Sequence, residues 1–270
     1  MYASDFEYDG RLLSGFGYRI CSFGESGGLE IKETGFPITF TKVSRNRGGT
    51  NSLVGTHYEE CVQCTFQICK DPDRYENTEI TNDEYRDLVR WLNRHEFLKF
   101  SMLSDADGLD RARCYFNASF NISKIYVSDV LYGLELTAET DAPDGYGPRY
   151  EREWTVPTGG RINMMDISDE TGFTRPDITI TCNGSGNLVM SNLTTGSTMK
   201  INNCVTGEII NVYGDRQVIT TNRPSHKIYN DFNFEFLALG NTYGNTENEI
   251  TFSLPCTVRI GYAPVIKDIP

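Results

Sequence analysis

The sequence predicts a mainly β chain in two domains, with one α-helix. Three observations carry this. The 270 residues include 25 Gly and 10 Pro, a composition that favours turns over long helices. Two-residue alternation of apolar and polar side chains recurs along the chain, as in ITFTKV and CVQCTFQIC, whereas a helical period occurs once. In the second half, turn signals arrive every ~8–12 residues, the spacing of an all-β sandwich or barrel.

The elements follow in order. Phe6, Tyr8, Leu12, Phe16, Tyr18 and Ile20 supply strand residues broken by Gly10, Gly15 and Gly17. A polar, glycine-rich passage over 24–55 holds one apolar island, Phe36, Ile38 and Phe40. Its alternation predicts a hairpin projecting from the body, and excursions of this kind are usually functional or interface-forming. Those three residues are the candidate interface positions. In CVQCTFQIC, Val62, Cys64, Phe66 and Ile68 share one face, and Cys61, Gln63, Thr65 and Gln67 the other. Thr81 and Glu84 form a capping box ahead of Tyr85, Leu88, Val89 and Leu92, spaced i, i+3, i+4 and i+7 as one apolar stripe. Acidic residues early in this segment and Arg90, Arg94 and His95 late in it match the helix dipole, and Trp91 sits one step off the stripe. Strand patterning returns over 97–103, 112–122 and 125–137. The run DAPDGYGP at 141–148 is the best boundary, which divides the chain into 1–147 and 148–270. Beyond it, ITITC, NLVMSN, STMKINNC, EIINVY, QVITTN, NFEFLAL and EITFSL read as strands.

Chemistry is mostly excluded. With 25 basic and 37 acidic residues the net charge is −12, a poor match for nucleic acid or anionic lipid. The acidity is mainly amino-terminal: 15 basic against 24 acidic residues up to 147, a balance of −9, and −3 thereafter. MYASDFEYDG lacks a signal peptide's basic start and apolar run, and no stretch is apolar enough to span a bilayer, so a cytoplasmically made protein with no membrane partner is expected. The eight cysteines are then free thiols. Cys61 and Cys64 point to opposite faces of one strand and cannot readily share a zinc ion. GESGG at 24–28 resembles a serine-protease nucleophile turn, but no histidine precedes Ser26. Asp105, Asp107 and Asp110 suggest a calcium loop, yet Leu109, Asp110 and Phe116 stand where a ligand, a glycine and a bidentate Glu belong. His57, His95 and His226 each stand alone, and the sequons at Asn117, Asn121, Asn183 and Asn192 are chance matches without secretion. No catalytic, cofactor-binding or metal-ligating residue is predicted, so the chain is expected not to be an enzyme.

The opening DFEYDGRLLSGFGYRI, the capped helix followed by FLKFSM, and the phrases DISDETGFTRPDITITCNGSGNLVMSNLTTGSTMKINN, GEIINVYG and NFEFLALGNTYGNTENEITF together resemble the distal tail (Dit) proteins of long-tailed phages and prophages. The resemblance covers nearly the whole chain and rests on strand and turn phrases. It implies an N-terminal, tail-tube-like, split-barrel domain with one helix and a C-terminal galectin-like β-sandwich. It further implies a structural role at the virion tail tip, in a hexameric ring assembled in the bacterial cytoplasm. The implied partners are the major tail tube protein, the tape-measure protein, the tail-tip hub and receptor-binding proteins. DNA would pass through the lumen without specific binding. A tailocin or other phage-like particle would use the same ring.

The alternative is a carbohydrate-binding, galectin-like module. Galectin pockets stack a pyranose on tryptophan beside His, Asn, Arg and Glu. Here the second domain's tryptophan is Trp154, and His226, Arg223 and Asn222 lie on a loop-like segment.

Overall fold

The computed structural model describes residues 3–23, 32–33, 38–44, 51–58, 61–104, 114–242 and 245–267. It is mainly β and falls into two compact units. The first runs to Tyr146 and takes back Lys267; the second is Gly147–Ile266.

Unit 1 opens with β1 (Ala3–Tyr8) and β2 (Arg11–Leu12), joined by Asp9 and Gly10. Both turn residues have positive φ, 51° and 70°, as a two-residue type I′ hairpin requires. After β3 (Tyr18–Cys21) come the short β4 (Lys32–Glu33) and the pair β5 (Ile38–Ser44) and β6 (Asn51–Tyr58). Next are β7 (Gln63–Lys70), α1 (Asn82–Leu92), β8 (Leu98–Ser104), β9 (Phe116–Val127), β10 (Val130–Thr140) and β11 (Gly145–Tyr146). The main sheet runs β2-β1-β8-β9-β10-β7-β3, with β4 also on β7. β9 continues to Val127 rather than breaking near 123, because the turn is made by Ser128 and Asp129, at φ 50° and 66°. Neither residue is glycine, so the usual turn signal is missing from the sequence.

β7 buries Val62's neighbours as its alternation predicts: Cys64, Phe66 and Ile68 are all at most 1% exposed. The core they join is aromatic. Phe6, Phe66, Phe100 and Phe120 meet at centroid distances of 5.1–6.4 Å, several of them edge-to-face.

Helix α1 starts at Thr81 with the full capping box. Glu84's N–H donates to Thr81 Oγ1 at 3.4 Å, and Thr81's N–H donates to Glu84 Oε2 at 2.8 Å. Glu84 also pairs with Lys70 Nζ at 2.7 Å, which ties the cap to the end of β7 and satisfies a buried ammonium. The covered stripe is centred differently from the one the periodicity suggests. Leu88, Trp91 and Leu92 are buried, whereas Tyr85 and Val89 are half-buried. Trp91 is therefore the helix's anchor and not its edge. Its ring stacks on Phe16 at 4.3 Å and on Phe6 at 5.7 Å, and its indole N–H donates to the Tyr8 carbonyl at 3.1 Å.

Unit 2 contains β12 (Tyr150–Val156), β13 (Arg161–Met165), β14 (Gly172–Thr174), β15 (Asp177–Cys182), β16 (Gly186–Asn192) and β17 (Thr198–Cys204). It continues with β18 (Ile209–Tyr213), β19 (Val218–Thr221), the single-turn α2 (Ile228–Asp231), β20 (Leu239–Asn241), β21 (Glu247–Phe252), β22 (Cys256–Tyr262) and β23 (Val265–Ile266). One sheet has the order β12-β22-β15-β18-β19 and the other β13-β21-β16-β17. Residues of both sheets, such as Ile178, Ile180, Val258 and Ile260 with Leu188, Met190, Ile250 and Phe252, form one buried cluster. That is a β-sandwich. Strict alternation in β15 puts Ile178, Ile180 and Cys182 inward and Asp177, Thr179 and Thr181 outward.

The segment NFEFLAL is not a strand. Only Leu239–Asn241 pairs, with β14. Ahead of it Phe232 and Phe236 fold against each other at 5.1 Å, and Phe234 adopts a left-handed φ of 58°. Apolar alternation is present, but the segment wraps over β17 instead of joining a ladder: Asn233's side chain donates to Thr198 O and accepts from Lys200 N–H.

Candidate interaction surface

Two of the three predicted interface positions, Ile38 and Phe40, lie on β5, which with β6 makes a two-stranded sheet of its own. Phe36 falls outside the described residues. Ile38 and Phe40 are 44% and 51% exposed, share one face of β5 and stand opposite Tyr58 and Thr56. The register shifts after Thr41, which pairs with Gly55 while Lys42 pairs with Leu53, so Val54 is the extra residue of a bulge. Val43, Leu53 and Val54 are also exposed, Val54 at 65%. These three were not singled out from the sequence. The signal for them, SLVG opposite ITFTKV, is the second strand of the same alternating hairpin.

This ribbon has apolar side chains on both faces and no core of its own. An isolated hairpin is at best marginally stable in water, and clustered exposed apolar residues mark an interaction site. Lys42 Nζ lies 5.5 Å from the Phe40 ring, a contact that leaves the apolar surface open.

The histidines have distinct fates. His57, opposite Thr39 on the hairpin, and His95 are exposed. His226 does not stand alone, as its sequence setting suggests; it is sewn into a buried polar brace in unit 2. Its Nδ1–H donates to Glu208 Oε1 at 2.6 Å, and its Nε2 lies 3.3 Å from Asp231 Oδ2. Glu208 also accepts from the Thr221 hydroxyl at 2.5 Å and from Val205 N–H at 3.1 Å, with its side chain fully out of solvent. The brace thus ties the turn before β18 to β19 and α2. A second brace joins Asn192 to Asn248 at 2.8 Å, and Asn248 exchanges two bonds with Gly240. Asn192 is completely buried there, so its sequon is out of reach of modifying enzymes.

Burial would raise the Glu208 pKa, but the hydrogen bonds from Thr221, His226 and Val205 and the imidazole's charge outweigh it and hold the carboxyl below its ordinary 4.5. The stability this supplies is present above pH 4.5 and lost as pH falls through the lower folded value. Chemical unfolding of unit 2 between pH 7 and pH 3 should therefore show a declining limb that Glu208→Gln flattens, together with lower stability at pH 7. An unchanged limb would mean that the brace does not control acid stability.

The residues weighed for a galectin-type pocket do not converge. Trp154 lies on β12 opposite Val258, partly packed on the core. Asn222's side chain accepts from Ile209 N–H, and Arg223 donates to Ser225. Among the described residues no group of three or more His, Cys, Asp or Glu could hold a metal ion. No helix among them is long and apolar enough to cross a membrane.

A sheet unit bearing an open apolar hairpin is followed by a β-sandwich, an architecture without a catalytic or metal-binding cluster among the described residues. Two family models cover the sequence: a phage tail protein N-terminal domain over 1–142 and a phage tail C-terminal domain over 145–262. The chain belongs to this family of phage tail proteins, which places it in the virion tail as a structural component. No curated protein matches it. Among solved structures it is similar to the crystal structure of SPP1 Dit (gp 19.1), described as a paradigm of the hub adsorption apparatus of phages infecting Gram-positive bacteria. The identity is 12% and the TM-score 0.69, over 97% of this chain and 99% of that one. The likeness is one of fold, and it extends through both units.

Proposed function

We propose that this protein is a distal tail protein, a ring-forming connector between the tail tube and the host-recognition apparatus. The observation that carries the reading is the β5–β6 hairpin, whose apolar side chains are exposed on both faces of a ribbon that no other strand of the described chain supports. In a closed ring each hairpin lies on the neighbouring subunit, burying Phe36, Ile38 and Phe40 with Val43, Leu53 and Val54. Residues 1–147 form the ring, and 148–270, the galectin-like sandwich, project to hold other tail-tip parts. Its neighbours are the major tail tube protein, the tape-measure protein, the tail-tip hub and the receptor-binding proteins. The −9 balance of the first 147 residues suits a lumen through which DNA slides without adhering.

Light scattering after size exclusion tests ring closure, and gold labelling of the C-terminus in assembled tails tests position. Six copies of the 30.5 kDa chain give a species near 183 kDa, and the label should mark the tail tip. Labels along the tube would overturn the distal position, and a closed assembly of another mass would overturn six-fold symmetry.

A further inference from the structure

We propose that unit 2 carries a saccharide-binding cleft walled by Phe173 and Phe234. The cleft has a volume of about 480 Å³ and is built from unit 2 alone, so the proposal holds or fails independently of the ring. That volume lies within the ~300–1,000 Å³ range of small-ligand sites.

Its two walls are phenylalanines that the fold holds out in water, 72% and 65% exposed. Phe173 on β14 stands opposite Gly240 on β20, whose missing side chain makes room for Thr195: a Cβ there would lie 2.8 Å from Thr195 Cγ2, and 3.8 Å, ordinary contact distance, from the Phe173 ring. Phe234 is held by a left-handed backbone, φ 58°, costly for a bulky residue, with its ring 5.5 Å from the buried Phe232. Gln217, also on the cleft, has a left-handed φ of 53°. Strained non-glycine backbone concentrates at ligand clamps, and here two such residues line one cleft.

Between the walls lie hydroxyls. Thr195 and Ser197 hydroxyls lie 2.9 Å apart, each within reach of the Ala238 carbonyl, and they accept from the N–H of Ser197 and of Ala238 respectively, an arrangement that fixes their positions. Arg175 and Glu235 also line the cleft. The side chains of Arg175 and Gln217 have no hydrogen-bond partner among the described residues.

The mixture selects the ligand. An anion would find one guanidinium offset by Glu235 and by Asp215, on which Arg175 already acts. A metal ion would find a single lining carboxylate. A wholly apolar ligand would leave Arg175 and Gln217 desolvated without partners, and the Glu235 carboxylate with only the Asn233 amide at 3.2 Å. A neutral pyranose satisfies both demands, since its C–H face packs on a phenyl ring while its hydroxyls bond to guanidinium, amide and carboxylate.

The test is saturation-transfer NMR on the full chain, using methyl glycosides of glucose, galactose, N-acetylglucosamine and rhamnose, and chitotriose. At least one should receive saturation from the wild type. Phe173→Ala with Phe234→Ala should weaken that binding by about tenfold or more, equivalent to roughly 1.4 kcal/mol. Phe173→Trp should retain it. Arg175→Ala with Gln217→Ala should weaken it as well, a second pair that leaves the aromatic walls in place. No glycoside bound by the wild type, or binding unchanged in both double variants, overturns the proposal. So does a double phenylalanine variant that fails to enter tails when no glycoside binds, because the cleft would then dock protein.

Discussion

Phe40→Asp combined with Val54→Asp is expected to abolish incorporation of the chain into tails while leaving the isolated protein folded. Both side chains are more than half exposed, so the substitutions remove little buried area from the single chain. In a subunit interface each would place an unpaired carboxylate in an apolar contact, on opposite strands of a ribbon that the neighbour must cover. Interface positions of this kind cost about 2 kcal/mol or more apiece when disrupted, and two per subunit reduce association by about a thousandfold. The measurement is the yield of infectious particles and of tails by electron microscopy in a complementation assay. Circular dichroism and thermal unfolding of the purified variant serve as the control for folding. Wild-type incorporation would show that the hairpin is not an interface, and the ring reading would lose its main support.

The second large effect is on stability. Trp91→Ala should destabilise unit 1 by about 3–5 kcal/mol, the usual cost of emptying a large aromatic site in a core. The ring touches Phe6 and Phe16 in stacked geometry and the indole N–H donates to the Tyr8 carbonyl, so truncation leaves a cavity and removes a buried hydrogen bond. Trp91→Phe retains most of the packing and loses the hydrogen bond, so it should fall between the two. Because the chain has two compact units, the readout is a scanning trace in which unit 1's transition moves down and unit 2's holds. Equal shifts of both transitions would show that the units unfold as one. Loss of less than about 1 kcal/mol would show that the site collapses around the smaller residue.

How much was legible in the sequence depended on the range of the interactions concerned. The alternation of Cys64, Phe66 and Ile68, the capping box of Thr81 and Glu84, and the Asp9–Gly10 turn are decided by residues within a few positions of one another, and the sequence displays them directly. The same locality gave the mainly β class and, through strand and turn phrases, the tail-protein family. Where the local signal was weak or misleading, long-range contacts had decided the outcome. Ser128 and Asp129 close a hairpin without a glycine because ten residues of β10 pair with β9 and hold them there. NFEFLAL alternates like a strand, yet side-chain bonds from Asn233 across 33 and 35 residues bind it to β17.

The functional surfaces divide in the same way. Ile38 and Phe40 could be singled out because an apolar alternating island in a polar passage is a local pattern. Val54 could not, because its prominence comes from a bulge set by strand register. The His226–Glu208–Asp231 brace and the Phe173–Phe234 cleft left no mark in the sequence: their members lie 18, 5 and 61 positions apart and meet only when the sandwich closes. By itself, then, the sequence determined the mainly β class, where the helix begins and which face of strands such as β7 turns inward, since these follow from backbone geometry and side-chain period. The tertiary structure alone decided which helix face is covered, which polar groups are buried together and which aromatics remain in water. Those outcomes depend on burial and on partners brought from distant parts of the chain, and no local period encodes them.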